Sequence, residues 1–422
     1  MSVFFHIDVN SAFLSWSAIQ KLNKGSSIDL REIPSIIGGD SSTRHGIVLA
    51  KSIPAKSYGI ETAETIVSAL RKCPNLYIEP SDHGFYEEQS ELFVEYLRSV
   101  CPDIEQVSID ECYMDFTPIA SRYPDYMTAA ALIKDTIQER FHFTVNVGIS
   151  DRKVLAKMAS DFQKPNRIHT LFHDEIQKKM WPLPVNNLFM CGKSSAEVLN
   201  KLGILTIGDL AKSSTEVLTA NLKGHGILLY EYANGIDASK VQTTQPELKG
   251  VGNSTTLPKD IIEAANAYPV LLSLAESVSS RLRAAQKMCS SVTVEIKYAT
   301  FTSCSRQVTL SAPTNVSKEL YQTAVMLFDQ LWDKKPIRLL GLRTTKLSAL
   351  TEPVQLGLFD SPMVQNNKKI PSHEKYHKLD LALDEIKRKF GKDAVKPLSS
   401  ISGSSISGKQ KETADDKLQN PS

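Results

Sequence analysis

"VSIDECYMDF", residues 107–116, sets two adjacent acids inside an apolar run. Val107, Ile109, Tyr113 and Phe116 are strand-forming types, and strands are depleted in Asp and Glu. The plain reading of Asp110 and Glu111 is a hairpin turn with solvated acids. The other reading is a hairpin that offers carboxylates to a cation, which needs a third acid from elsewhere in the chain. "VFFHIDV" (3–9) reads as a strand that carries Asp8 near its end, and "SAFLSWSAIQKL" as a helix capped by Asn10 or Ser11. "GIVLAKS" adds a strand, and "EEQSELFVEYLRSV" a helix with Leu92, Phe93, Tyr96 and Leu97 on one face. After the hairpin come the helix "MTAAALIKDTIQERF", the strand "TVNVGIS" and the helix "KVLAKMASDF". This β-α-β-β-α-β order predicts a split, ferredoxin-like antiparallel sheet backed by helices, in which the end of the first strand lies beside the central hairpin. Asp8, Asp110 and Glu111 then converge on one sheet edge and repel one another unless cations lie between them. Mg²⁺ suits such a site, because it takes a few carboxylates and completes its octahedron with water and phosphate oxygens. Two such ions about 3.5–4 Å apart clamp an in-line phosphoryl displacement.

At 422 residues the chain exceeds a single core, and at about 100–200 residues per domain it divides into roughly two to four. The composition, 41% hydrophobic and 23% charged, is that of a soluble globular protein. The start "MSVFFHIDVNSAFLSW" has no basic leader, and no apolar run approaches a membrane span, so no membrane association is expected. Six scattered cysteines without a CxxC pair argue against structural zinc and a disulfide framework, and fit a reducing cytoplasm. The net charge of +2 is too small to announce a polyanion partner, so any such case rests on local patches.

Taken together, "HIDVNSAF", "SIDECYMD" and "VGISDRKVLAKMASDFQKPN" resemble, in order and spacing, the signature blocks of the Y-family translesion DNA polymerases of the bacterial polymerase IV and UmuC type. The similarity runs from residue 3 to about 392. It implies an α+β multidomain fold: a ferredoxin-like palm (1–16 and 75–165), small fingers (17–74), a helix-hairpin-helix thumb (166–235), a linker (236–246), an α/β little finger (247–350) and a tail (351–422). It implies an error-prone, template-directed two-metal transfer of nucleotides from deoxynucleoside triphosphates to a DNA primer end, without proofreading, by a cytoplasmic monomer. Asp8 and Asp110 match the metal-bridging aspartates, Glu111 the third ligand, and the Val9 carbonyl a backbone ligand, for two Mg²⁺ ions. Phe13 falls at the steric gate, where an aromatic ring excludes a 2′-hydroxyl. Lys164 in "QKPN" matches the lysine that reaches the incoming triphosphate.

The chain also departs from the family pattern. In "SIPAKSYGI" the usual tyrosine and arginine are Ile53 and Lys56; Lys56 offers a point charge without a bidentate fork, and Ile53 no hydrogen bond. Asn10 stands where many members carry an acid. These changes touch triphosphate contact and leave a rival reading as a catalytically weak damage-response subunit. A second rival, a nucleotidyl cyclase, is suggested by Gly38-Gly39-Asp40, but Ser41 and Ser42 follow where that family has further acids.

"NLFMCGKSSAEVLNKLGI" resembles a helix-hairpin-helix with one glycine lost, Met190-Cys191-Gly192, so Gly192 and Lys193 are expected at a DNA phosphate. Residues 247–350 hold 13 Lys+Arg and 8 Asp+Glu, a net +5, with Arg281, Arg283, Lys287, Lys297, Arg306, Arg343 and Lys346 as candidate phosphate contacts on primer-template DNA. "QLGLF" resembles the bacterial sliding-clamp-binding peptide, with Gln355, Leu356, Leu358 and Phe359 as anchors. "KLDLALDEIKRKFG" predicts an amphipathic helix with Leu379, Leu383, Ile386 and Phe390 on one face and Gly391 at its C-cap, and the polar end beyond it is expected to be disordered.

Overall fold

The computed structural model describes residues 2–39, 46–244, 247–350, 370–391 and 394–395. Gln355–Phe359, Asp40 with Ser41 and Ser42, and the polar end after residue 395 lie outside the described residues. The chain divides into two units, Met1–Pro246 and Glu247–Ser422.

The first unit begins with β1 (Phe4–Val9) and α1 (Ala12–Asn23), followed by β2 (Ser35–Gly38), β3 (Val48–Lys51), α2 (Ile53–Ser57), α3 (Ile66–Lys72) and β4 (Tyr77–Pro80). Then come α4 (His83–Val100), β5 (Ile104–Gln106), β6 (Glu111–Asp115), α5 (Tyr126–Phe141), β7 (Val145–Ser150), α6 (Lys153–Ser160) and β8 (Ile168–Thr170). The larger sheet has the order β5-β6-β1-β7-β8, with β1 antiparallel to both β6 and β7. Its first four strands are the split β-α-β-β-α-β set, and β8 extends it in parallel with β7.

Alternation along β1 and β6 sorts two faces. Phe5 and Ile7, opposite Met114 and Cys112, enter a core with Phe93 and Leu97 of α4 and Ile133 and Ile137 of α5. Phe4, His6 and Asp8, opposite Asp115, Tyr113 and Glu111, lie on the other side, where Ala156 of α6 packs with Phe4 and Tyr113. All eight residues of α6 are buried. Its remaining apolar residues, Val154, Leu155, Met158 and Ala159, join a cluster with the helices that follow. A helix covered on every side is wedged between two layers.

Two expectations shift. Val107–Asp110 form the turn itself rather than strand, so Val107 is exposed and Glu111 is the first residue of β6. Leu92 is exposed on α4, because the buried stripe is set by Tyr86, Ser90, Phe93, Val94 and Leu97. Tyr77–Pro80 pairs in parallel with β2 in a small sheet of order β3-β2-β4. α1 serves both sheets: Trp16 and Ile19 enter the main core, while Leu14 and Ala18 pack with Leu30 and Ile37.

The helical part of the first unit comprises α7 (Ile176–Lys179), α8 (Lys193–Lys201), α9 (Ile207–Ala211), α10 (Thr215–Leu222) and α11 (Gly224–Ala233). The stretch read as a linker is partly anchored. Asp237 accepts from the Val154 amide at 2.9 Å, Glu105 accepts from the Gln242 amide at 2.7 Å, and the Lys240 carbonyl accepts from Lys153 at 3.3 Å.

The second unit contains β9 (Gly250–Ile261), α12 (Ala264–Ala284), β10 (Lys287–Tyr298), β11 (Ser303–Thr314), α13 (Ser317–Leu331), β12 (Ile337–Ala349) and α14 (Ile370–Phe390). Its antiparallel sheet has the order β11-β10-β12-β9. Val292, Val294, Leu340 and Leu342 face Leu271, Val278, Leu320 and Phe328 of α12 and α13. α14 docks on this unit through its polar face. Arg283 of α12, with only 5% of its side chain exposed, donates to Asp384 at 2.7 Å and to Asp380 at 3.1 Å. The ammonium of Lys318 sits 3.9 Å from the centre of the Tyr376 ring. The apolar stripe of α14 remains largely outside, with Leu379, Ile386 and Phe390 exposed.

Gly148 of β7 is where α6 approaches the sheet most closely. A Cβ there would lie 1.9 Å from the Ala156 carbonyl oxygen and 2.4 Å from the Ser160 nitrogen. Gly148→Ala is expected to lower unfolding stability by about 3 kcal/mol, because neither backbone atom can yield without moving the helix. The denaturant midpoint checks this.

Candidate active site

The register of β1 on β6 makes Asp8 and Glu111 direct cross-strand partners. The Val9 amide donates to the Asp110 carbonyl at 3.0 Å, which ties the 107–110 turn to the end of β1. Like charges placed opposite each other on one sheet face destabilise it, and here two lysines answer them. Lys157 of α6 lies 2.6 Å from Glu111 and 3.4 Å from Asp8, and Lys164 lies 2.9 Å from Asp8. Asp110 accepts from the Ser108 hydroxyl at 2.7 Å.

The charges feel these partners unequally. Burial pushes the Asp8 carboxyl up, but Lys164 and Lys157 together bring it below the ordinary carboxylate range. Burial, aided by the charge of Asp8, raises Asp110 against the Ser108 hydrogen bond. Burial also raises Glu111, and its bond to Lys157 does not fully offset this. Lys157 is itself buried, yet its acidic neighbours hold its pKa above the usual lysine value.

Asn10, whose position carries an acid in many members of the resembled family, is a buried junction. Its Nδ2 donates to Asn146 Oδ1 at 3.2 Å, and its Oδ1 accepts from the Asn166 amide at 2.8 Å and from Thr144 Oγ1 at 3.0 Å. Asn146 in turn donates to the Ser160 and Gln163 carbonyls at 3.0 and 2.7 Å. This network fastens the loop bearing Lys164 to the ends of β1 and β7. Of the two expected caps of α1, Asn10 is engaged in this network, while Ser11 is the N-cap residue but makes no side-chain capping bond.

Phe13 is half-buried near the start of α1. Its ring stacks on Tyr86 at 4.5 Å and meets His83 edge-on at 5.8 Å, and Tyr86 is fixed in turn by a 2.6 Å hydrogen bond with Ser17. Lys56 is exposed on α2, next to the exposed Ile53. Gly192 is the N-cap of α8 with Lys193 exposed beside it, and Met190, at the lost glycine, adopts a left-handed φ of 69°.

The arginines expected at DNA are not alike. Arg343 is exposed on the sheet face opposite the helices, beside Thr293 and Gly252. Arg306 is exposed on β11 in register with Val294, and the exposed Arg281 donates to the Gly252 carbonyl at 2.8 Å. Arg283 is withdrawn from that set, since its guanidinium is buried and committed to Asp380 and Asp384. Lys157 was missing from the sequence-based set. The signal for it was a lysine on a helix of otherwise apolar and small residues, "KVLAKMAS".

The donors are hard carboxylate oxygens, the chemistry a divalent cation such as Mg²⁺ takes. Among the described residues no three acids, histidines or cysteines close into a metal cage; in this arrangement Glu111 leans on Lys157, Asp8 on Lys164 and Asp110 on Ser108. The chemistry of this donor set fits a divalent ion. No helix among the described residues is long and apolar enough to cross a membrane.

Residues 7–161 match the impB/mucB/samB family model, and residues 248–358 match that family's C-terminal domain. A DNA polymerase IV of Clostridium acetobutylicum is 43% identical over 393 residues, covering 93% of this chain and 96% of its own. DNA polymerase IV 1 of Bacillus subtilis is 35% identical over 379 residues, covering 87% and 89%. Among solved structures, the Y-family DNA polymerase chimera Dbh-Dpo4(243-245)-Dbh shares the fold at a TM-score of 0.71 and 21% identity, covering 82% of this chain and 99% of its own. The chain therefore belongs to the impB/mucB/samB family, the Y-family DNA polymerases.

Asp110 binds its proton more tightly in the folded than in the unfolded chain, so its ionisation costs stability as pH rises through and above the ordinary carboxylate value of about 4. Asp110→Asn removes that cost. In the metal-free protein at pH 7 its melting temperature is expected to rise by about 2 °C, with no difference near pH 3. Thermal unfolding across pH checks the sign.

Proposed function

We propose that Asp8, the Val9 carbonyl, Asp110 and Glu111 hold two Mg²⁺ ions, and that the chain extends a DNA primer there from deoxynucleoside triphosphates. By family it is a translesion DNA polymerase, a DNA-directed nucleotidyltransferase. The observation that carries the site reading is the cross-strand pairing of Asp8 with Glu111, with Asp110 tied to the end of β1. Bound there, divalent ions supply Lewis-acid stabilisation of charge on the reacting phosphates.

Each side chain then has a task. Lys164, fastened through the Asn10 network, offers a positive charge to the triphosphate, and the exposed Lys56 offers a second. Phe13, stiffened by its stack on Tyr86, bars a 2′-hydroxyl by exclusion. Gly192 and Lys193 at the start of α8, with Arg281, Arg306 and Arg343 of the second unit, grip DNA phosphates without reading sequence. Gln355, Leu356, Leu358 and Phe359 bind the bacterial sliding clamp, which raises the local concentration of a monomeric, cytoplasmic, non-proofreading polymerase at primer ends.

Primer extension with Mg²⁺ tests the site. Asp110→Ala is expected to abolish incorporation while primer-template binding by anisotropy is kept; residual extension near the wild-type rate overturns the ligand assignment. Phe13→Ala is expected to raise ribonucleotide incorporation by at least about 100-fold relative to deoxynucleotide, measured by single-nucleotide insertion. Failure to pass an abasic template that leaves undamaged copying intact would refute the lesion-bypass reading.

A further inference from the structure

Asp8 and Glu111 belong to a closed circuit of ion pairs whose outer member has no part in the site proposed above. Lys157 Nζ reaches Glu111 at 2.6 Å, Asp161 Oδ2 at 3.3 Å and Asp8 Oδ2 at 3.4 Å. Lys164 Nζ reaches Asp8 Oδ2 at 2.9 Å and Asp161 Oδ1 at 3.0 Å. Both ammonium groups therefore share one oxygen of Asp8 on the inside and take separate oxygens of Asp161 on the outside. Asp161 is also the C-cap residue of α6, where a negative charge is unfavourable to the helix dipole. Helix stability gives no reason for an acid there; the two lysines do.

We propose that Asp161 is a positioning residue that takes over Lys157 and Lys164 when Asp8 and Glu111 turn to divalent cations. The proposal rests on the reading of Asp8, Asp110 and Glu111 as metal ligands. For Asp8 to ligate a cation, its Oδ2 must give up at least one lysine. An ammonium stranded without a partner in a half-buried site is strongly destabilising. Asp161 removes that penalty, because each lysine already has one of its oxygens within reach and needs only to release the other side. The lysines thus stand in for the cations while the site lacks them, keeping opposed acids together. On exchange, Lys164 stays held beside the triphosphate position instead of swinging into solvent.

The test uses the purified full chain without DNA or nucleotide, with Mn²⁺ as the probe followed by its paramagnetic resonance signal, and circular dichroism to confirm that each variant is folded. Asp161→Asn is expected to weaken Mn²⁺ binding by about tenfold. Asp161→Ser, which keeps an acceptor but no charge, is expected to do the same. Lys157→Met is expected to strengthen Mn²⁺ binding, and in that background the loss caused by Asp161→Asn is expected to shrink by more than half. Unchanged affinity in both Asp161 variants overturns the proposal. So does an equal loss with and without Lys157, which is the mark of a distant charge acting alone. Asp110→Asn separates the two readings. If it leaves Mn²⁺ binding intact, the ligand assignment falls and the exchange falls with it. If it abolishes binding while Asp161→Asn changes nothing, only the exchange falls.

Discussion

The first unit is organised around a repulsion. Asp8 and Glu111 face each other across β1 and β6, on a strand pair whose other residues are mostly buried, where charges are screened less than at an open surface. The fold tolerates this because α6 lies on that face and sets Lys157 between the two carboxyls, 2.6 Å from one and 3.4 Å from the other. A balance of this kind is costly to break on one side only, since the remaining charge is left uncompensated in a poorly solvated place. The site is therefore held together by the same attraction that any incoming cation has to replace.

α6 matters for more than its lysine. Helices in small domains usually keep one face in water, but all eight residues of this one are covered. Gly148 lets it lie close against the sheet, while Leu155 and Met158 feed the apolar cluster of the following helices. One element thus belongs to two cores, and the position of Lys157 is set by packing on both sides. The Asn10–Asn146 network does the equivalent for Lys164, using hydrogen bonds where α6 uses volume.

Much of this was legible in the residues, and the lapses have physical causes. The β-α-β-β-α-β order was enough to bring Asp8 beside the hairpin acids, and the register observed is the one that keeps Phe5 and Ile7 in the core, since a one-residue slip would turn them out. The buried stripe of α4 was misjudged by one position, since Tyr86 and Ser90 at its start anchor the face and a count begun at Leu92 misses them. Lys157 escaped notice because a lone lysine reads as solvated. Only the packing of α6 on both sides shows that it has no water to reach. Arg283 erred the other way: a basic patch suggested a phosphate contact, whereas its partners are aspartates 97 and 101 residues further along the chain. Long-range pairings of that sort leave no periodic trace.

Arg283 has a further effect through connectivity. By fastening Asp380 and Asp384 it moors α14 to the unit that β12 also belongs to. Strand β12 and helix α14, neighbours in the chain order, thus belong to one body. Without that guanidinium Asp380 and Asp384, one turn apart on the same helix, would be like charges lacking a cation between them, and the berth would turn into a repulsion.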